Sequence, residues 1–262
     1  MSRESIMLDG LEFAGRTRYG TCSARLDGWM GRPKSKGASS SRATSHGSVS
    51  LPKFNDTRIV TVTGLMEAKS HDDLHEWMDR VNGLLLGSGP VVGDQLGGGR
   101  LIVAGHGSTR WADVKWDDGT EMESITDTLA SYQLRLEAVD SNKYGETRSF
   151  TIPSGGSLVT TFQRGNASAY PVVVVSGSMP GGYEFATAGG TTFRVTRALT
   201  SGTPHTIDMR NGSLKVGSSY VSLGVAEAGI YRIFQAAQVP VRLTAITTGS
   251  GTATAYVTDT YS

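Results

Sequence analysis

The sequence predicts an α+β domain over residues 1–150, with one helix on a barrel-like antiparallel sheet, and an all-β sandwich over residues 151–262. Charge is the first observation: the first part carries 18 basic and 20 acidic residues, the second only 7 and 4. The second part also contains 29 Ser and Thr and 15 Gly, which favours short strands and tight turns. Finally, convincing helical periodicity occurs once, in the first part.

The overall composition excludes several classes of protein. With 25 basic and 24 acidic residues, the chain lacks the basic excess of a dedicated nucleic-acid or anionic-membrane binder. Its single cysteine, Cys22, excludes an intrachain disulfide and a cysteine-based zinc site. The longest aliphatic run, residues 172–175, is far shorter than the roughly 20 residues that span a bilayer. We therefore expect a soluble protein made without an export signal.

A basic loop follows the first long strand of the predicted α+β domain. Residues 18–26 are predicted to form that strand, and the chain then reaches a segment from Arg32 to Arg42 that includes Lys34 and Lys36. This segment has no apolar periodicity, so we expect an extended or mobile loop.

Two stretches of alternating apolar and polar residues come next, at 46–54 and 58–66. Alternation with a period of two is the pattern of a half-buried strand. The simplest interpretation is that the two stretches pair with each other.

The predicted helix begins after Ser70, a favourable N-cap residue, with Asp72 and Asp73 in its first turn. Apolar residues recur at helical spacing up to Leu85, so we expect the helix to end near residues 86–87. Strands are predicted after it at 100–104, 109–116 and 132–140, which gives one helix packed on a mostly antiparallel sheet.

The second part reads as a series of short strands with Gly, Ser or Asn at each break, which is typical of a sandwich. They are predicted at residues 158–164, 170–177, 192–199, 205–210, 213–217, 230–234, 239–247 and 252–258. Asn211 and Gly212 predict a hairpin with a two-residue type I′ turn between the fourth and fifth of them. Residues 152–156 read as a strand end and a turn, a plausible domain boundary.

Two groups of residues raise the question of catalysis or metal binding. His71 and His75 share a predicted helix face beside Asp72 and Asp73, but no third metal ligand is identifiable, and acids at a helix start are the better explanation. We therefore predict no metal site and no cofactor.

Carboxylates at Asp117, Asp118, Glu121 and Glu123 form the second group, since paired acids perform glycoside hydrolysis. Nothing in the sequence sets their separation, and an Asp-Gly step flanked by acids is usually a solvated hairpin tip. We predict no catalytic residues, and we consider a carboxylate-based glycan hydrolase the weakest hypothesis for the function of this chain.

Two features remain as candidate binding surfaces. Tyrosines of the second part, Tyr170 and Tyr183 first among them and then Tyr220 and Tyr231, offer ring faces to sugars if they are exposed. The interpretation we favour is that they are half-buried strand aromatics. The second feature is the basic loop with Arg32, Lys34, Lys36 and Arg42, which suits a phosphate backbone or an assembly contact, although a solvated loop is the default.

The order of features along most of the chain resembles a known family. The residues that carry the resemblance are 27–29, the basic loop, 46–47, 58–64, 68–70 and the helix in the first part, with 166–177, 181–183 and 206–212 in the second. The chain is similar to the distal tail proteins of long-tailed bacteriophages, which join the tail tube to the tail-tip or baseplate apparatus. The second part resembles the galectin-like sandwich of that family.

The resemblance implies a non-enzymatic structural virion protein at the distal end of the phage tail, made in the host cytoplasm. It implies a homo-hexameric ring around a DNA channel, with the first domains at its core and the sandwiches outside. The partners implied are the tail tube protein and the tail-tip or baseplate hub proteins, with transient passage of DNA and no membrane.

A ring also suits the near-neutral charge, because a strong charge on every copy would oppose closure. In such a ring, Arg32, Lys34, Lys36 and Arg42 would form an assembly contact or line the lumen. The sandwich lacks a long insertion that would carry a further binding module, so the resemblance does not imply host-surface recognition by this subunit. It also lacks tryptophan, so stacking on sugars would rely on tyrosine or phenylalanine. The competing hypothesis is a protein whose sandwich binds cell-wall or capsule polysaccharide.

Overall fold

A computed structural model describes residues 4–37, 39–41, 46, 48–50, 54–85, 98–105 and 107–262. The chain divides into two compact units: unit 1 comprises the described residues up to Lys143 together with Ser262, and unit 2 comprises Tyr144–Tyr261. The boundary predicted at 150/151 falls inside a single strand, Lys143–Pro153. The division therefore comes earlier than the predicted turn at residues 152–156.

Unit 1 is an antiparallel β structure with one helix among its described residues. Its elements are β1 (Ser5–Leu8), β2 (Leu11–Glu12), β3 (Gly15–Arg16), β4 (Gly20–Asp27), β5 (Ser35–Lys36), β6 (Ser39–Ser41), β7 (Ser48–Ser50), β8 (Phe54–Asn55), β9 (Arg58–Ala68), α1 (His71–Asn82), β10 (Gly99–Gly105), β11 (Ser108–Thr126) and β12 (Leu129–Ala138). Within the unit, neighbouring strands follow the order β2-β1-β10-β11-β12-β9-β4-β3.

The sheet of unit 1 forms because its long strands alternate. In β9, Val60, Val62 and Met66 are buried, while Thr61, Thr63 and Leu65 on the other face are partly or fully exposed, as the sequence predicted for residues 58–66. The expected pairing partner was wrong, however. Strand β9 pairs with β4 and β12, whereas β7, in the stretch at 46–54, pairs with β6.

Helix α1 begins as predicted and ends earlier than predicted. The Asp73 backbone N–H donates to Ser70 Oγ at 3.1 Å, which confirms the N-cap. The last helical residue is Asn82 rather than a residue near 86. Leu84 and Leu85 are buried beyond the helix, and Leu85 has a φ of 63°, which is not helical. The predicted end was too late because the apolar spacing continues into the turn that follows the helix. Residues 86 and 87 lie outside the described residues.

Strand β11 extends ten residues past Trp116, where the sequence predicted its end. Asp117, Asp118 and Gly119 are therefore part of the strand and not a hairpin tip. They form a bulge, because Trp116 pairs with Leu136 while Thr120 pairs with Leu134. The turn that leads into β12 lies at residues 127–128.

Unit 2 consists of two antiparallel sheets that share one buried core. Its strands are β13 (Lys143–Pro153), β14 (Val159–Phe162), β15 (Val172–Ser178), β16 (Tyr183–Thr187), β17 (Thr192–Val195), β18 (His205–Asp208), β19 (Ser213–Val216), β20 (Ser219–Val221), β21 (Val225–Ala228), β22 (Gln238–Ala245) and β23 (Ser250–Tyr261). One sheet has the order β20-β19-β18-β15-β23-β13 and the other β14-β22-β16-β17-β21. Apolar residues such as Val173 and Ile207 from the first meet Phe185 and Leu243 from the second.

Unit 2 differs from the prediction in several places, and strands β16, β20 and β21 were not predicted at all. Residues 230–234 form no strand, and within them Ile233 makes one isolated bridge to Ala169. Strands β18 and β19 do form a hairpin, but its first pair is Asp208 with Ser213, so the loop has four residues. Gly212 has a φ of 70° while Asn211 does not have positive φ, which excludes a type I′ turn.

Candidate assembly surface

The basic segment of unit 1 leads into a two-stranded ribbon, and we call the described residues between 32 and 57 the arm. Strand β5 pairs with β8, and β6 pairs with β7. The Asp56 backbone N–H also donates to the Lys34 carbonyl at 2.7 Å. The described part of the predicted loop is thus a β ribbon. Arg42 lies outside the described residues.

The described side chains of the arm contribute little to a core. Arg32, Lys34 and Lys36 are exposed, and Phe54 is 65% exposed. The ion pair between Lys36 and Asp56 spans 3.8 Å with both side chains about half exposed or more, so it adds little stability. Because an isolated two-stranded ribbon is at best marginally stable in water, the described part of the arm gains little stability from its own pairing.

One buried arginine, Arg58 at the start of β9, directly follows the arm and hydrogen-bonds to the segment that precedes it. Its Nη1 donates to the carbonyl oxygens of Gly28 at 2.9 Å, Trp29 at 3.2 Å and Gly31 at 2.7 Å, just before the arm. Its Nε donates to the Ser141 carbonyl at 3.0 Å. The arginine is 1% exposed, and burial lowers its pKa. Arg58 therefore joins the segment that enters the arm to the strand that leaves it.

A second buried cation, Lys143, binds the same entry segment. Its Nζ donates to the Trp29 carbonyl at 2.8 Å and lies 5.7 Å from the centre of the Trp29 ring. Burial first, and then the charges of Arg58 and Arg110, lower the pKa of Lys143 to about 8. We call Arg58, Lys143 and the carbonyls they bind the anchor of the arm.

The anchor requires glycine at position 28. Gly28 has a φ of +81°, and a Cβ there would lie 2.1 Å from the Ile59 carbonyl oxygen. The close approach brings the Gly28 and Trp29 carbonyls to the Arg58 guanidinium. Buried hydrogen bonds thus fix the base of the arm, whereas its described basic side chains are exposed.

Sequence reasoning missed the anchor. One signal was present for Arg58, since it occupies an inward position of β9 in register with Val60 and Val62, and a charge there must find buried partners. For Lys143 we find no comparable signal, because its partner Trp29 is 114 residues away along the chain.

The tyrosines predicted as sugar contacts occupy different environments. Tyr183 has no exposed surface, and its hydroxyl lies 3.2 Å from His205 Nδ1, so it offers no ring face to a sugar. Tyr231 is also buried. Tyr170 is half-buried, with the Arg210 guanidinium 6.0 Å from its ring centre. Tyr220 is 69% exposed, beside the Lys215 ammonium.

The residues considered for metal or acid chemistry are not assembled into a site. The His71 and His75 rings lie 4.4 Å apart, yet no group of three or more His, Cys, Asp or Glu suited to a metal ion occurs in the part of the chain that the structure describes. Asp117 forms an ion pair with Arg135 at 2.5 Å. Glu121 and Glu123 are exposed on the sheet. No helix in the described ranges is both long and apolar enough to cross a membrane.

Comparison with solved structures identifies the fold. No protein-family model matches the sequence, and no curated protein matches it either. The chain is similar to the crystal structure of the SPP1 Dit (gp 19.1) protein, described as a paradigm of the hub adsorption apparatus in phages that infect Gram-positive bacteria, with a TM-score of 0.70, 12% identity and coverage of 99% of each chain. Chains of the phage p2 baseplate in its activated conformation match with TM-scores of 0.50 (with Sr) and 0.47 (with Ca), each at 10% identity over 97% of this chain and 98% of that chain. The resemblance expected from the sequence is confirmed at the level of the fold, which is mostly antiparallel and Dit-like.

Proposed function

We propose that this chain is a structural protein of a phage tail tip, located at the distal end of the virion tail. The observation that carries the proposal is the end-to-end similarity to a phage hub protein, which covers 99% of both chains and so includes both units. Because a fold alone does not imply a function, the arm is an important second argument: its described side chains are mostly exposed, and its base is held by the buried anchor.

In the finer form of the proposal, six copies form a ring that joins the tail tube to the tail-tip or baseplate complex. The first domain, an α+β domain proposed over residues 1–150, surrounds a central channel for DNA. The second, a galectin-like sandwich over 151–262, projects outward. The near balance of 25 basic and 24 acidic residues supports ring closure, since copies with little net charge repel one another weakly.

The arm is the proposed assembly element, with Arg32, Lys34, Lys36 and Arg42 at a subunit contact, at a contact with the tail tube protein, or in the lumen. The exposure of the first three residues supports this role. We also propose that the protein works by contact, with no catalytic step and no cofactor. This fits the carboxylates at 117–123, of which Asp117 is held by Arg135 and the others lie along one extended strand.

The alternative, polysaccharide binding by the second domain, has weaker support. Of the two tyrosines put forward first for that role, Tyr183 is fully buried and Tyr170 is half-buried. A sugar site would have to use Tyr170 together with residues such as Tyr220, which is exposed.

Negative-stain electron microscopy with mass measurement of the purified full chain tests the proposal. We expect rings with an open centre and a mass six times that of the 27.7 kDa chain. A monomer that is retained on host cell walls would support the polysaccharide-binding alternative instead. Turnover of a cell-wall substrate that is lost in Glu121→Ala or Glu123→Ala would contradict both.

A further inference from the structure

The chain contains five steps in which glycine directly follows aspartate or asparagine, at residues 9–10, 27–28, 82–83, 118–119 and 211–212. In such a step the glycine nitrogen can attack Cγ of the preceding side chain, because glycine has no Cβ that hinders the approach. The product is a five-membered succinimide ring, which water opens again. Which step reacts in the folded protein depends on where the fold leaves the nitrogen and Cγ free to meet.

Both asparagine steps are restrained by hydrogen bonds. In the step at 82–83, the glycine N–H donates to the Asp79 carbonyl at 3.0 Å. In the step at 211–212, the glycine N–H donates to the Asp208 carbonyl at 2.8 Å, and the asparagine Oδ1 accepts from the Ser213 backbone N–H at 2.9 Å. Each glycine nitrogen is therefore held by a backbone acceptor and not by the side chain it would attack.

Two of the aspartate steps are restrained by the backbone. Both residues of the step at 9–10 have positive φ, 47° and 81°, in the tight turn between β1 and β2. In the step at 27–28, the glycine lies so close to β9 that a Cβ would be 2.1 Å from the Ile59 carbonyl oxygen. Its own carbonyl accepts from Arg58. Closing a ring in either step would require the backbone to leave these contacts.

The step from Asp118 to Gly119 lacks these restraints. Both residues are exposed, and they lie in the bulge of β11, outside the register with β12. The Gly119 backbone N–H donates to Oδ1 of Asp118 itself at 2.9 Å, which places the nitrogen beside the Cγ of that carboxyl group. Within the described residues Asp118 forms no ion pair, whereas its neighbour Asp117 is held by Arg135.

We propose that Asp118 is a site of spontaneous isomerisation to isoaspartate in the folded protein. The Gly119 nitrogen forms a bond to Cγ of the protonated carboxyl group, and the carboxyl OH leaves with the amide proton as water. A second water then opens the ring. Cleavage between the nitrogen and Cγ restores aspartate, whereas cleavage between the nitrogen and the main-chain carbonyl carbon gives isoaspartate. Water is the only co-reactant, and nothing is oxidised or reduced.

The bulge has room for the product, whose main chain is longer by one methylene group. Strand β11 already places residues 117–119 opposite the single Arg135. A Cβ at Gly119 would meet no atom within 4 Å. Isoaspartate therefore enlarges the bulge and leaves the ladder pairs on either side in place. The modification accumulates with the age of the folded chain without unfolding it.

Peptide mapping of the purified full chain tests the proposal, after incubation in native buffer and in urea. Electron-transfer fragmentation in the mass spectrometer locates isoaspartate, and methylation by a protein isoaspartyl methyltransferase measures its amount. In native buffer, isoaspartate should form at Asp118 at least about tenfold faster than at Asp9 or Asp27, because a misplaced nitrogen reduces the rate by that much or more. In urea the three steps should react at similar rates.

Two variants sharpen the test. Gly119→Val places a branched side chain beside the attacking nitrogen, in open space, and should suppress isomerisation at Asp118. Asp118→Asn has the shape of the natural side chain and loses ammonia in place of water. It should react about as fast in native buffer as in urea, whereas folding should slow Asn82 and Asn211 at least about tenfold. The tryptophan fluorescence of each variant shows whether unit 1 is folded.

Isoaspartate that forms at Asp118 no faster than at Asp9 and Asp27 in native buffer overturns the inference. So does a folded Asp118→Asn variant in which the new step is slowed as much as Asn82 and Asn211. Both measurements are independent of the oligomeric state, so their failure leaves the proposed role in the tail tip untouched.

Discussion

Units 1 and 2 are both antiparallel β structures, yet the buried charged residues of the two units bind different kinds of partner. Unit 2 satisfies its buried charge internally: Arg148 lies 2.6 Å from Asp259, which also accepts the Arg164 backbone N–H at 2.7 Å. Unit 1 uses buried Arg58 and Lys143 to hold carbonyl groups at the base of the arm. The described basic side chains of the arm, Arg32, Lys34 and Lys36, are exposed. The difference fits the proposal that unit 1 makes the contacts with neighbouring chains.

The largest expected effect comes from removing the anchor. Arg58→Met leaves the carbonyls of Gly28, Gly31 and Ser141 without their buried donor, and we expect a loss of about 3–5 kcal/mol in the stability of unit 1. The four tryptophans, Trp29, Trp77, Trp111 and Trp116, all lie in unit 1, so tryptophan fluorescence during urea unfolding reports on this unit alone.

The matched control for the anchor is Arg25→Met. Arg25 is exposed and pairs with Asp27 on the surface, so its loss should cost less than about 1 kcal/mol. If Arg58→Met costs as little as Arg25→Met, the anchor does not stabilise the base of the arm.

Breaking the internal ion pair of unit 2 should give the next largest effect. Asp259→Asn leaves the Arg148 guanidinium, whose side chain is 15% exposed, without its buried carboxylate, and we expect a loss of about 2–4 kcal/mol in unit 2. Hydrogen exchange read by mass spectrometry should show faster exchange in β13 and β23 and no change in the tryptophan transition of unit 1.

Glu184→Gln is the control in the same unit, since Glu184 pairs with a half-exposed Arg194 and its loss should cost under about 1 kcal/mol. Equal losses from Asp259→Asn and Glu184→Gln would contradict the contrast between the units.

The stability of unit 1 should depend on pH, because burial lowers the pKa of Lys143 in its anchor. The folded protein holds the pKa of Lys143 at about 8, below the usual value of 10.5. Between these two values the unfolded chain binds more protons, so the lysine makes stability rise with pH, by up to about 1 kcal/mol per pH unit. Urea unfolding followed by tryptophan fluorescence from pH 7.5 to 10 measures this slope.

Lys143→Met serves as the reference for that measurement, because it keeps the other titrating groups and removes this one. The natural chain minus the variant should gain stability as the pH rises through about 8 and beyond. A difference that is flat or falls over this range would show that Lys143 is not desolvated in the folded protein.

The smallest expected effect concerns Tyr220, an exposed tyrosine of unit 2. Tyr220→Ala removes a side chain that is 69% exposed and should change stability by less than about 0.5 kcal/mol. Tyr183→Ala, at a fully buried position, should cost about 3–5 kcal/mol by comparison. Hydrogen exchange of unit 2 distinguishes the two. A large loss in Tyr220→Ala would mean that unit 2 packs this residue against another surface.

Local pattern predicted the elements that local chemistry controls. The alternation at residues 58–66 and 132–140 predicted β9 and β12, and Ser70 predicted the start of α1. Two predictions from the local pattern were wrong because packing against distant residues determined the structure. Leu85 is buried in a turn and not in the helix, and the Asp-Gly step at 118–119 forms a bulge inside β11.

The candidate surface was predictable only in part. The basic residues Arg32, Lys34 and Lys36 were visible in the sequence as a segment without a core pattern. Their place beside a ribbon was not visible, because it depends on contacts between residues 34–36 and residues 54–56, about twenty positions later in the chain. The anchor depends on carbonyl groups, which every residue has, so side-chain chemistry carries no signal for that part of the contact.

The most direct test of the account is the assembly of a chain without its arm. Residues 33–56 are replaced by a short Gly-Ser linker, which keeps Arg58 and its carbonyl partners, and the native mass is measured beside that of the full chain. We expect the full chain to form a ring of six and the shortened chain to be a monomer. In the monomer both units should stay folded, so the unfolding transition followed by tryptophan fluorescence should be unchanged. A shortened chain that still forms the ring of six would contradict the account.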